Sequence, residues 1–360
     1  MRFSIYLNAQ TRGAHEDVEI IDTLARQALE ATDAGFGGIA LTEHHFSGYN
    51  TYGDNFMFGA HLAARVRPGT RFLLAVAVPP LHNPMRLAQK CNLLDVLTRG
   101  ELIVGFAAGG SPVEYAGMGR DPGERHAQML HNLEILEAAL AKTPDDPPLE
   151  WRTAFEHGTL HTRIMPSGFH RSRPSFARAA QSDEGAEWTG RKGWYLFTAR
   201  DKPRALGERW RLYERALREG GLDDDQVRER LDWSLVQKQV YLADTSEQAE
   251  RETRERLVHM AEHQRRSFGL VKDLRDAAHM KSVVGVSPQK PDEFLDHAML
   301  IGDPASVRDQ IREYEAAGIR HMALLFNYGF MSAETSDRSL RLFIDEVLPE
   351  FTTEKTKGAV

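Results

Sequence analysis

Cysteine is almost absent from this chain of 360 residues, where Cys91 stands alone. One thiol excludes an internal disulfide and a cysteine-based metal site, and it suits a reducing compartment. Its apolar helical setting makes it a core residue rather than a reactive one. Long hydrophobic runs are missing too, and nothing approaches the ~18 consecutive apolar residues of a membrane span. The opening Met1-Arg2-Phe3-Ser4-Ile5 lacks a signal-peptide layout and reads as a first strand, so a cytoplasmic location is expected. There is no basic excess. Lys and Arg number 45 against 52 Asp and Glu, a formal net charge of -7 with both signs interspersed, which argues against nucleic acid as a partner.

Several enzyme signatures are also missing. No G-x-S-x-G offers a hydrolase nucleophile, and no G-x-G-x-x-G offers a dinucleotide loop. The histidines at 82, 126, 131, 157, 161 and 170 show no compact ligand spacing with an acid partner. His157 and His161 are separated by Gly158 and Thr159, which disfavour a helix there, so no metal site is expected.

What is present is a hydrophobic content of 41%, enough for a sizeable core. Phe3, Ile5 and Leu7 alternate as a first strand. Val18, Ile21, Ala25, Ala28 and Leu29 keep helical spacing over 17–34, and Gly35-Phe36-Gly37-Gly38 closes that helix. Further strands are predicted at 39–41, 71–78, 102–106, 175–181, 194–197, 235–242 and 322–326. Helices are predicted at 56–66, 84–97, 124–140, 203–219 and 246–265. Eight such units fit a single (β/α)8 TIM barrel domain over residues 1–360, with excursions at 143–174 after strand four and 267–290 after strand seven. A doubly wound open sheet is the simple alternative, since alternation alone does not separate the two.

Glu43-His44-His45 falls where the second strand ends. Chemistry on a barrel is delivered at the carboxyl ends of its strands. If 42–45 stays extended, neighbouring side chains alternate, so His44 and His45 cannot both point inward. Taken alone, two such histidines are an ordinary solvated loop.

The stretch Leu41-Thr42-Glu43-His44-His45-Phe46 resembles the corresponding segment of the bacterial luciferase-like flavin-dependent monooxygenases. So does Val76 to Gly110, with Asn83-Pro84, Arg86, Asn92-Leu93-Leu94-Asp95 and Arg99-Gly100 leading into a strand and a Gly-rich turn. Ala180-Gln181-Ser182 with Glu187-Trp188 is a third match, and Ile301 to Phe326 with Val347-Leu348-Pro349 is a fourth. The likeness runs through nearly the whole chain in the family's order.

That resemblance implies a barrel enzyme in which reduced FMN and O2 form a peroxyflavin that oxygenates a small organic substrate. His44 becomes the acid/base near the flavin, Glu43 an orienting or buried paired acid, and His45 its neighbour. Ala75-Val76 falls where the family has a non-prolyl cis peptide against the flavin ring. Ala107, Ala108 and Gly109 follow strand four, and Ala108 stands where luciferases carry a phosphate-binding Arg. Gln181, Ser182 and Gly185 at a helix start form the other half of the phosphate cradle. Asp183 and Glu184 compete there, and Arg178, Arg191 and Lys192 are open as compensating cations. Phe46, Phe106 and Trp194 are candidates for lining a dry cavity. The resemblance further implies a separate flavin reductase and a homodimer. An F420-dependent oxidoreductase on the same barrel, or a flavin-binding relative without catalysis, are the alternatives.

Overall fold

The computed structural model describes residues 1–170, 173–269 and 290–352. In chain order the strands are β1 (Arg2–Leu7), β2 (Gly38–Leu41), β3 (Arg71–Ala77), β4 (Leu102–Phe106), β5 (Leu149–Arg152), β6 (His157–Leu160), β7 (Ser175–Ala179), β8 (Tyr195–Ala199), β9 (Leu235–Leu242), β10 (Met299–Gly302) and β11 (His321–Leu325). Each of β1, β2, β3, β4, β7, β8, β9 and β11 pairs in parallel with the next, and β11 returns to β1. The sheet is a closed eight-stranded barrel. The open-sheet alternative is excluded by the β11–β1 pairing, Arg2 opposite His321 through Ile5 opposite Leu324.

Helices α1 (Asp17–Ala34), α2 (Asn55–Ala63), α3 (Pro84–Leu97), α4 (Pro112–Gly117), α5 (Arg125–Ala141), α6 (Asp183–Arg191), α7 (Pro203–Glu219), α8 (Asp224–Trp233) and α9 (Ser246–Gly269) follow, with later helices at Pro291–Ala298, Pro304–Ala316 and Ala333–Leu342. Their starts are chemically marked. Asp54 accepts from the amides of Phe56 and Met57 to open α2, and Asn83 accepts from Met85 and Arg86 to open α3. Gly35, at φ 118, ends α1 by sending its amide back to Ala31 and Thr32, which turns the chain straight into β2.

Alternation along the strands divides the core in two. Ile39, Leu41, Phe72, Leu74, Leu102, Val104 and Phe176 pack outward under the helices, while Ala40, Leu73, Ile103, Ala177, Tyr195, Phe197, Leu235 and Ala323 fill the barrel. Gly105 is where two walls meet. A Cβ there would stand 2.6 Å from the Phe197 ring and 2.7 Å from Leu74 O.

The 143–174 excursion contains the antiparallel hairpin β5–β6, which sequence patterning missed, tied to the barrel by Arg120–Glu156 at 2.7 Å. β10, also missed, pairs along the far half of β9. Of the 267–290 excursion, residues 270–289 lie outside the described residues. No helix among the described residues is long and apolar enough to cross a membrane.

Candidate functional site

β2 ends at Leu41, and the next four residues continue without ladder bonds into Phe46, which adopts φ 61. The three polar side chains before it separate as alternation requires. His44 turns toward α4, where its Nδ1 lies 2.9 Å from Glu114 Oε1. His45 turns the other way, and its Nε2 lies 2.9 Å from Glu43 Oε1. Glu43 is 3% exposed and is the hub of a small network. It takes a second imidazole, His82 Nε2, at 2.8 Å, and the backbone amide of Val78 at 2.9 Å.

Burial opposes the Glu43 charge, but the bonds from His45 and His82 outweigh it and hold the carboxyl down to about 2. Burial likewise opposes a charged His45, and the Glu43 carboxylate reverses this and raises it. Glu43 thus joins the end of β2 to the end of β3 through a paired, ionised carboxylate.

His44 has a separate acid. Glu114 is 2% exposed, and the Tyr49 ring stands edge-on to the imidazole at a centroid distance of 4.8 Å. An imidazole whose Nδ1 faces a carboxylate is fixed in orientation and offers Nε2 for proton exchange. Among the described residues, no hydrogen bond engages His44 Nε2. The sequence offered Glu43 as an orienting or buried paired acid, and the structure gives it to His45 and His82 rather than to His44. Glu114 carried no signal, since it is one acid among many after a Gly-rich turn, and His82 was one of several scattered histidines.

The Ala75–Val76 peptide is cis, as the resemblance implied. Both flanking carbonyls are held: Tyr6 Oη donates to Ala75 O at 3.1 Å, and the buried Asn55 Nδ2 donates to Val76 O at 3.1 Å. Ala75, Val76 and Ala179 face the barrel interior at its carboxyl end. With Ala107 beyond β4, they leave that end lined by small side chains. Gly109, at φ 66, lies against Val78, 2.9 Å from where its Cβ would be. Ala108 is buried, and its carbonyl accepts from Tyr115. Its methyl packs in the outer core rather than standing free at the mouth.

The second half of the expected cradle is spoken for within the chain. Ser182 caps α6 by accepting from Gly185 at 3.1 Å, and the Gln181 amide lies 3.0 Å from Thr198 Oγ1. Asp183 bonds Arg209 at 3.1 Å. The three candidate cations separate clearly. Arg191 pairs with Glu187 and Glu219, and Lys192 with Glu137. Arg178 has no acid partner among the described residues and lies over Trp188 at 4.4 Å. Burial, with the Arg125 and Arg178 charges, also holds the nearby His126 below its ordinary value. Positive charge is therefore concentrated between β7 and the start of α5.

Three aromatic expectations are corrected. Phe106 and Trp194 pack with Phe176 at 5.0 and 5.3 Å in the outer core, because Phe106 points to the helix side of β4. Phe46 is 63% exposed and lies over Gly117. The described residues hold no cluster of three or more metal-ligating side chains.

The profile of the luciferase-like monooxygenase family matches residues 1–321. The chain belongs to that family. It is 25% identical over 346 residues to limonene 1,2-monooxygenase of Rhodococcus erythropolis, covering 94% of this chain and 81% of that one. It is 24% identical over 376 residues to the oxygenase component of the flavin-dependent trigonelline monooxygenase of Acinetobacter baylyi, covering 99% and 97%. Among solved structures, the oxygenating constituent of 3,6-diketocamphane monooxygenase from Pseudomonas putida, in complex with FMN, superposes with a TM-score of 0.75 at 19% identity, covering 97% of this chain and 98% of that one. An F420-dependent secondary alcohol dehydrogenase superposes at 0.71 with 15% identity, covering 96% and 98%. At such identities the superpositions speak for the luciferase-like barrel alone.

Proposed function

We propose that this protein oxygenates a small organic substrate with O2 and reduced FMN, the latter delivered by a separate flavin reductase. The observation that carries the reading is the His44–Glu114 pair, 2.9 Å apart, at the carboxyl end of β2, beside the small-residue ends of β3, β4 and β7. The relatives by sequence named above are monooxygenases, and the Acinetobacter one is named as an oxygenase component, which supports the reductase.

The residues fit a flat cofactor. Ala75, Val76, Ala107 and Gly109 would border its ring, with Ala108 behind them. Its phosphate would displace the internal cap at the start of α6, taking over the Gly185 amide that Ser182 now accepts from, with Gln181 nearby and Arg178 as the cation. Reduced flavin, when bound, supplies the electrons that let oxygen react. The chain supplies the rest. His44 Nε2 takes or gives a proton, Glu114 holds the ring, and the Glu43–His45–His82 network fixes the two strand ends that form the floor.

An anaerobic titration tests the cofactor half of this reading. Reduced FMN should bind and reduced F420 should not. Arg178→Ala should weaken FMN by roughly 1.5–3 kcal/mol, the worth of a charge-assisted contact, and leave riboflavin unchanged. Preferential binding of reduced F420 would move the protein to the other branch of this barrel, and equal losses for FMN and riboflavin would place the phosphate away from β7.

A further inference from the structure

The loop after β8 is held in a conformation that its sequence does not favour. Arg200 and Asp201 are consecutive non-glycine residues at φ 64 and 55. L side chains seldom adopt that region, and such outliers persist only where their surroundings enforce them, often at functional sites. Here the enforcer is Lys238 on β9, a fully buried ammonium. It donates to Arg200 O at 3.0 Å, Asp201 O at 2.7 Å and His297 O at 2.5 Å. Tyr314 Oη adds a bond to Asp201 O at 3.1 Å. Burial opposes the Lys238 charge and lowers it to about 7, and the three carbonyls offset part of that cost.

This scaffold presents one cation. The Asp201 carboxylate is drawn off to Arg209 at 2.7 Å and leaves its neighbour uncompensated. Arg200 has no acid partner among the described residues, and its guanidinium lies over the Phe294 ring at 5.9 Å. Arg200 follows the carboxyl end of β8, the same end of the parallel barrel at which β2 delivers His44, and its charge acts on the buried phenols of Tyr6 and Tyr49. Tyr6 bonds Ala75 O, and Tyr49 stands against His44. The free cation therefore belongs to the same mouth as the proposed acid/base, in the loop after β8, one strand on from β7 and Arg178.

We infer that Arg200 recognises a carboxylate of the substrate, so that the molecule oxygenated is a small organic acid. The planar guanidinium fork suits a carboxylate held by two parallel bonds, and the Tyr49 ring suits the carbon skeleton behind it. This rests on the reading of the mouth as the oxygenation site, and its test is independent of turnover.

The full-length protein, saturated with FMN, is titrated calorimetrically with benzoate, nicotinate and hexanoate and with the matching amides. Wild type should bind at least one acid about tenfold more tightly than its amide. Arg200→Gln should abolish that preference without changing FMN affinity, and Arg200→Lys should restore part of it. Acids that bind no better than amides, or a preference that survives Arg200→Gln, would overturn the assignment. Loss of FMN affinity in Arg200→Gln would also overturn it, by making Arg200 a flavin contact. If the acid preference holds while no FMN-dependent oxygen uptake is found, the oxygenase reading fails and the carboxylate site stands.

Discussion

Replacing His44 by Ala should lower product formation ~10²–10⁴-fold, the usual loss on removing a positioned acid/base, while reduced FMN binds as before. The ring is held by Glu114 Oε1 at 2.9 Å and by the Tyr49 edge, and Nε2 is left to work. Because the contact partner of His44 is a buried acid rather than the cofactor floor, its loss should leave that floor standing. Glu114→Gln keeps a bonding partner but removes the charge that orients the ring, and should cost less. His45→Ala should behave differently, since His45 serves Glu43 and the strand ends. Its cost should appear in stability, with a smaller effect on rate. Steady-state rates and flavin titrations of the three variants decide this, and equal small rate losses for His44→Ala and His45→Ala would remove His44 from its role.

The largest stability effect should come from Glu43→Gln. Glu43 is held at about 2 in the folded chain, below its ordinary 4.5. Its contribution is complete above pH 4.5 and is lost as the pH falls toward 2. His45 is held above its ordinary 6.5, so its contribution is complete below 6.5 and fades as the pH rises through the raised value. Wild type should therefore exceed Glu43→Gln most between pH 4.5 and 6.5. Removing one partner of a buried charge network suggests a gap of about 3 kcal/mol. Denaturant melts across pH 3 to 9 would measure the gap, and a difference independent of pH would show that the network acts by shape rather than charge.

How far the sequence foretold this is uneven, for physical reasons. β4, β9, α1, α3 and α7 were legible to the residue, because buried parallel strands are continuous apolar runs and these helices carry clear start or stop residues. The hairpin β5–β6 was not, since Leu149–Arg152 and His157–Leu160 alternate only between half-buried and exposed over four residues each, too short and too shallow to read. β10 was hidden because four residues at the end of a helix carry no period. At the site, Glu43, His44 and His45 stood out by their place at a strand end. Glu114, His82 and Asn55 were invisible because their partners lie 70, 39 and 21 residues away, and only barrel closure brings them together. Arg178 could not be told from Arg191 and Lys192 until their acid partners were in view.

Oxygenation is tested most directly by where the oxygen atoms of O2 go. The protein, loaded anaerobically with reduced FMN and mixed with ¹⁸O₂ and small organic substrates, organic acids foremost, should yield a product carrying one ¹⁸O atom by mass spectrometry. Label should fall with His44→Ala. Reoxidation of the flavin with every labelled atom released as peroxide or water, and none in any product, would contradict it.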